Sequence, residues 1–299
     1  MSLALETDRL CRQFGRTRVL DDLTLTVEPG SVYALVGANG AGKTTTVKVL
    51  MNIMPPTSGH ASVFGTDSRQ LGPRDFQAIG YVSENQEMPD WMTVEAFMAY
   101  LRPFYPRWDD ARARALLSAF HLPADRKLKH LSRGMRMKAA LASSLAYHPK
   151  LLVLDEPFTG LDPLVRDEVV EGLVECADET TMLISSHDLA EIESFATHVG
   201  FLDRGRLQFS EEMTTLSQRF REVEVTLGTR AALPQAWPSS WLRPEATSHL
   251  VRFVHPDFDA ERVIREVRQL FGGDAHVDAR PMSLRSIFVA LARESRTAA

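Results

Sequence analysis

Cysteine is scarce in this chain: Cys11 and Cys176 are the only two in 299 residues. Thiols so few and so far apart exclude a disulfide framework and a cysteine-based metal site, and they fit a reducing compartment. Positive charge is not in excess either. Lys and Arg total 34 against 39 Asp and Glu, a net charge of −5, which gives no support to a nucleic-acid partner. No apolar run approaches the ~18 residues that would cross a bilayer. The opening MSLALETDRLCRQF carries acidic residues where a secretion signal would be basic and then apolar. Internal repeats and low-complexity segments are missing too. These absences predict a soluble, cytoplasmic chain with one large core and a smaller appendage. A membrane-spanning part, if the chain serves one, would be another polypeptide.

Within those bounds the sequence alternates strand and helix signals. Residues 3–27 carry two β-like segments around Gly15, with Leu23, Leu25 and Val27 alternating against polar neighbours. Pro29-Gly30 turns the chain into the apolar run Val32 to Val36, which ends in a glycine loop and a helix over Thr44 to Asn52. Pro55-Pro56 and Ser58-Gly59 stop that helix. Residues 84–148 show helical periodicity without β-rich runs. From 151 a strand-helix-strand-helix rhythm predicts a parallel sheet with crossover helices: LLVL, Leu164 to Cys176, MLIS, then Asp188 to Phe195. Val199 to Leu202 and Leu207 to Phe209 read as a closing hairpin. Near 218 the character changes. Strands are expected around Val223, Val225 and Leu227 and over Leu250 to Val254, separated by a loop at 233–244. Helices follow, one with Val263, Ile264, Val267, Leu270 and Phe271 on one face, the other capped by Ser283. The expected domains are 1–217, containing a helical subdomain over 84–148, and a small α+β unit over 218–299.

Gly37 to Thr45 reads GANGAGKTT, the spacing G-x-x-x-x-G-K-[ST] set between a strand and a helix. Glycines let successive N–H groups turn inward around a phosphate, and the helix start adds its positive dipole end. Lys43 is expected to reach β- and γ-phosphates, and Thr44 to place its hydroxyl on Mg²⁺. Gly37, Asn39, Gly40, Ala41, Gly42 and Thr45 complete the cradle. The bare spacing also fits a glycine-rich turn beside a solvated lysine; the flanking strand and helix favour the phosphate site. Asp155 and Glu156 follow the apolar run LLVL. A carboxylate ending a buried strand beside the glycine-loop strand can hold Mg²⁺, which is the role expected of Asp155. Glu156 is then placed to orient the attacking water as general base. Taken alone, such a pair also suits a surface turn, and a lone His187 also suits a structural role.

Further stretches follow in order: LSRGM at 131–135, LLVLDEP at 151–157, TGLD at 159–162 and ISSH at 184–187. With the glycine loop, they make the chain resemble the ATP-binding subunit of an ABC transporter over about residues 3–217. The resemblance implies an α/β P-loop ATPase fold of ABC type: a mixed sheet core, an antiparallel β subdomain and a helical subdomain. It implies Mg-dependent ATP hydrolysis, with ATP and Mg²⁺ bound between two ATPase subunits, in a homodimer or a heterodimer. His187 would contact the γ-phosphate and attacking water, and Phe14 would stack on adenine, although a buried core phenylalanine fits Phe14 as well. Ser132 and the backbone of Gly134 would donate to the nucleotide of the opposite subunit, and Asp162 would lie on the same interface.

The chain departs from the family pattern twice. LSRGM replaces the common LSGGQ, and Glu84 stands where a glutamine is usual, still able to act as an acceptor toward Mg²⁺ or water. Arg133 would either add positive charge near the nucleotide or be solvated. GYVSEN, LSRGM and the tail PMSLRSIFVAL resemble the subgroup serving ABC-2-type exporters, so the expected activity is powering export through a separate permease. The chain would then sit on the cytoplasmic face of the membrane. The permease would dock on the helical subdomain between Met88 and Trp108, with Met88, Trp91 and Met92 on a groove rim. Most of Trp91, Phe97, Tyr100, Phe104, Tyr105 and Trp108 are expected in that subdomain's core. The alternative is a non-transport ABC ATPase of DNA repair, chromosome organisation or translation. Against it stand the missing heptad insertion, second cassette and basic stripe. The tail allows a ligand sensor, a dimer contact or a structural unit.

Overall fold

In the computed structural model, which describes residues 3–177, 179–228, 234 and 236–297, Leu5–Phe14 (β1) and Thr17–Val27 (β2) pair antiparallel around Gly15. Leu23, Leu25 and Val27 are buried while Thr24 and Thr26 are exposed, the two-residue period of a sheet covered on one face. Val32–Val36 (β3) is buried at all five positions, and Lys43–Leu50 (α1) follows the glycine loop. Ser58–Val63 (β4) and Thr66–Asp67 (β5) complete a four-stranded sheet in the order β2-β1-β4-β5.

The sequence marks Ser58-Gly59 only as a helix stop, yet it opens β4. A Cβ on Gly59 would lie 2.1 Å from the Arg9 carbonyl oxygen. The glycine permits close cross-strand approach, a demand set by the neighbouring strand.

Pro73–Phe76 (α2) leads into Ile79–Ser83 (β6). Val94–Leu101 (α3), Asp110–Ala119 (α4) and Arg133–Leu145 (α5) then form the helical section. Each starts on a side-chain cap: Thr93, Asp109 and Ser132 accept from backbone N–H groups of the first turn. Leu151–Asp155 (β7), Pro163–Val174 (α6), Thr181–Ser186 (β8), His198–Asp203 (β9) and Arg206–Glu212 (β10) follow. The resulting six-stranded sheet has the order β10-β9-β3-β8-β7-β6, with β6, β7, β8, β3 and β9 parallel. Such a sheet is buried on both faces, which is why β3, β7 and β8 read as apolar runs.

The helix expected over Asp188 to Phe195 is a 3₁₀ turn at Leu189–Glu191. Local side-chain bonds compete with helix here. Asp188 accepts from the Ala190 N–H, and the Ser186 hydroxyl accepts from the Asp188 N–H.

The chain divides into two compact units, Met1–Ser210 and Glu211–Ala299. The second contains Met213–Arg219 (α7), Arg221–Thr226 (β11), Leu242–Ala246 (β12), Leu250–His255 (β13), Ala260–Phe271 (α8), His276–Pro281 (β14) and Leu284–Thr297 (α9). Its sheet has the order β12-β13-β11-β14 and is antiparallel. Val223, Val225, Val251 and Phe253 pack against Val263 and Val267 of α8. Two of these strands were not legible in the sequence. Part of the loop expected at 233–244 is β12, where Pro244 is tolerated on an edge strand; residues 233 and 235 lie outside the described ones. The other, β14, is an edge strand with mostly exposed or half-buried residues and hence little alternation. Trp241 stacks on Phe253 with ring centroids 3.6 Å apart, and its indole N–H donates to Glu266 at 3.0 Å. Trp241→Ala is expected to lower the stability of this unit by about 3 kcal/mol in urea denaturation; an unchanged transition would contradict this reading of the core.

Candidate active site

Three parallel strands end side by side, and their continuations meet in one place. β3 runs into the glycine loop, β7 ends at Asp155, and β8 ends at Ser186, one residue before His187. Ligands of open α/β sheets gather beyond the carboxyl ends of such strands. Two glycines of the loop are required by packing. A Cβ on Gly37 would lie 2.2 Å from the Leu202 carbonyl oxygen. Gly42 has φ 113°, and a Cβ there would lie 2.7 Å from Leu20.

Lys43, the first residue of α1, is only 5% exposed. Its ammonium donates to the carbonyl oxygens of Gly37 at 2.7 Å and Ala38 at 3.2 Å, and sits 3.0 Å from Glu156 Oε1. Thr44 donates its hydroxyl to Asp155 Oδ1 at 3.0 Å. Ser185, opposite Asp155 in the β7–β8 register, donates to the same oxygen at 2.7 Å and accepts the Glu156 N–H at 3.0 Å. Glu156 itself has φ 54°, the left-handed region that non-glycine residues seldom adopt. Its second oxygen, Oε2, accepts from His187 Nδ1 at 2.7 Å and from the Thr159 hydroxyl at 3.1 Å. Burial pushes the Glu156 carboxyl up, but the His187 hydrogen bond and the Lys43 ammonium outweigh it and hold it below the usual carboxylate range.

A cavity of about 380 Å³ lies between these groups. Asn39, Gly40 and Gly42 to Thr45 wall one side, and Glu84, Glu156 and His187 contribute the other. Gly37 and Ala41 stand behind the wall as backbone support, Ala41 accepting the Gly205 N–H at 2.9 Å. Val19, Thr159 and Ser185 were missed by the sequence reading. Thr159 and Ser185 lie inside the quoted stretches TGLD and ISSH, whereas Val19 is an ordinary strand residue with no signal. Phe14 is 43% exposed under the Arg12 guanidinium, 4.6 Å from its ring centroid, and is not a core residue.

Ser132, Gly134 and Asp162 do not line this cavity. Ser132 caps α5 by accepting the Met135 N–H at 3.2 Å, and Asp162 caps α6 by accepting the Val165 N–H at 3.1 Å. A Cβ on Gly134 would lie 2.5 Å from Val165, so α5 packs closely on the start of α6. Glu84 donates its N–H to the Asp155 carbonyl at 3.0 Å, while its carboxylate accepts from Arg133 at 2.6 Å. Arg133 is thus neither simply solvated nor in the cavity wall; it is ion-paired across 49 positions of sequence.

For a metal, the Thr44 hydroxyl and Asp155 carboxylate offer adjacent hard oxygens of the kind Mg²⁺ takes. Among the described residues, no group of three or more His, Cys, Asp or Glu converges to hold an ion unaided. The donor set fits Mg²⁺ if phosphate and water supply the remaining ligands.

The aromatic section differs from expectation. Of the six rings only Phe97 is buried; Trp91 is 70% exposed, and Tyr100 and Phe104 are exposed too. Met88 and Met92, expected on a rim, are buried at 8%. The helical subdomain draws its core mainly from other residues, including Val94, Met98, Leu116, Phe120 and Leu128. A groove of about 430 Å³ is lined by Ile53, Phe76, Phe97, Leu101, Tyr105 and Tyr147, among others.

Comparison with known proteins matches residues 20–159 to the family described as "ABC transporter". The "ABC transporter ATP-binding protein YtrB" of Bacillus subtilis (strain 168) is 27% identical over 289 residues, covering 96% of this chain and 97% of that protein. The "Bacitracin transport ATP-binding protein BcrA" of Enterococcus faecalis is 31% identical over 239 residues, 78% of each. A solved structure titled "Structure of ATP binding subunit of ABC transporter" superposes with a TM-score of 0.65 at 28% identity, covering 72% of this chain and 92% of that one.

Because the Glu156 carboxyl is held below its ordinary value, the link to Lys43 stabilises the fold above the usual carboxylate range and is lost as pH falls through the lowered value. Glu156→Gln is expected to cost about 2 kcal/mol at neutral pH, leaving a buried ammonium without its counter-charge. In urea denaturation the difference from the parent should shrink in acid. A difference independent of pH would contradict the pairing.

Proposed function

The chain belongs to the ABC transporter family of ATP-binding proteins, and from that premise we propose that it hydrolyses Mg-ATP to drive transport through a separate membrane permease. The observation that carries the chemistry is the placement of Glu156, its two oxygens divided between Lys43 at 3.0 Å and His187 at 2.7 Å. An entering triphosphate competes for the Lys43 ammonium. Its β- and γ-phosphates replace the carboxylate as counter-charge, and Glu156 Oε1 becomes free to accept a proton from water. His187 and Thr159 keep the other oxygen fixed, so the base turns toward the phosphate without losing its anchor. Thr44 and Asp155 would hold Mg²⁺, which when bound would neutralise charge on the phosphate oxygens.

The remaining donors come from a second subunit. Ser132 uses its oxygen lone pair to cap α5, so its proton stays available for a γ-phosphate of the facing copy. The first turn of α5 adds N–H groups and a positive dipole end to that anion. This accounts for three assigned residues, Ser132, Gly134 and Asp162, lying away from the cavity of their own chain. ATP then closes the two subunits on each other, and hydrolysis reopens them.

Among the described residues no helix is long and apolar enough to cross a membrane, and the translocation path is assigned to the permease as part of the proposal. The apolar groove at Phe97 and Tyr105, with the exposed Trp91, Tyr100 and Phe104 nearby in sequence, is the docking face we assign to a permease helix at the cytoplasmic side. Export is the direction proposed, on the likeness of GYVSEN and LSRGM to the ABC-2 subgroup.

Glu156→Gln is expected to lower turnover by at least about 10²-fold while ATP-dependent dimers accumulate in size-exclusion chromatography. Hydrolysis at the parental rate would refute the base. Lys43→Ala should weaken ATP binding by about tenfold to a hundredfold in calorimetry, and unchanged affinity would argue against the phosphate site.

A further inference from the structure

Two of the positions where this chain departs from the family pattern, Glu84 and Arg133, are in contact with each other. Arg133 is the first residue of α5, and no acidic residue lies in that helix's first turn. A cation at a helix N-terminus is opposed by the macrodipole. Glu84 supplies the missing negative charge from the segment after β6, its carboxylate 2.6 Å from the Arg133 guanidinium. The same segment is fastened a second time: Arg136, one turn further along α5, lies 2.7 Å from Asp90 and donates to the Leu128 carbonyl at 3.1 Å.

Arg133 has a second neighbour. A Cβ on Gly160, which has φ +70°, would lie 2.7 Å from the Arg133 guanidinium. Its guanidinium therefore lies against the turn whose Thr159 hydroxyl holds Glu156. Glu84, for its part, lines both the nucleotide cavity and the adjoining groove at Gln86, Met88 and Arg133. A residue of the cavity wall is thereby ion-paired with the residue directly after Ser132.

We infer that Glu84 and Arg133 are a positioning pair: the ion pair fixes the first turn of α5 to the Glu84 segment, and so sets where Ser132 is presented to the facing subunit. The inference rests on the proposed two-subunit site for its effect on turnover, but not for its effect on the helix. Both side chains are partly exposed, Arg133 at 50% and Glu84 at 32%, so a large share of global stability is not expected from the pair. Its consequence is local geometry.

The test uses the full chain with Glu84→Gln, Arg133→Gln, the double variant and Arg133→Lys. Amide hydrogen exchange is followed in peptides spanning residues 133–140, and steady-state ATPase kinetics are recorded on the same proteins. Each single charge removal should speed exchange and lower kcat by about threefold to tenfold, the range of ordinary coupling between paired side chains. The double variant should be no worse than either single one, and Arg133→Lys should stay near the parent. Arg133→Gln should leave ATP affinity of the monomeric subunit unchanged in calorimetry at low protein concentration, since Arg133 does not line the cavity of its own chain. Effects that multiply in the double variant, unaltered exchange, or Arg133→Lys as impaired as Arg133→Gln would overturn the pairing. Faster exchange with unaffected kcat would overturn its role at Ser132. Were the parent protein itself inactive, the ATPase reading would fail, and exchange alone would still decide whether the pair holds the helix start.

Discussion

A buried ammonium needs a counter-charge, and the Lys43 ammonium is where the constraints of this fold converge. Left unpaired, such a group would cost several kcal/mol. Two loop carbonyls and Glu156 share it. Everything that sets Glu156 in reach is then constrained in turn. Its N–H is held by Ser185, its far oxygen by His187 and Thr159, and its backbone by a left-handed conformation. The adjacency of β3, β8 and β7 brings these groups together, and the parallel register puts Asp155 opposite Ser185. The resulting cavity is charged in a way that a polyanion can exploit, because phosphate can take the place that the carboxylate occupies.

The two neighbouring carboxylates are separated by their partners rather than by distance in sequence. Asp155, at the end of β7, accepts hydroxyls from Thr44 and Ser185 and presents hard oxygens beside the loop. Glu156, one residue later, faces Lys43 and His187. One is suited to an ion, the other to a proton. Ser132, Gly134 and Asp162 are engaged elsewhere in the same chain, as caps and as a close helix contact. Under the proposed function, a single chain carries one half of a site and the complementary half of another.

Much of this was legible in the sequence, because the signals were local. The apolar runs of β3, β7 and β8 mark buried parallel strands, and the glycine loop, Asp155, Glu156 and His187 follow directly from their ends. What escaped notice depended on partners far along the chain. Gly59 reads as a helix stop until Arg9 is seen crossing above it. The short turn at Leu189–Glu191 reads as helix until the Ser186 and Asp188 side chains are seen to claim the backbone. Val19 and Ser185 gain meaning only from strand neighbours. Arg133 reads as an odd residue in LSRGM until Glu84, itself odd in its place, is found beside it.

In the proposed dimer each nucleotide is shared between two copies of the ATPase. A crystal structure of the Glu156→Gln protein with ATP addresses that sharing most directly. The γ-phosphate is expected within about 3 Å of Lys43 Nζ from one copy and Ser132 Oγ from the other. A triphosphate held by one copy alone, with Ser132 of the second copy turned to solvent, would contradict it.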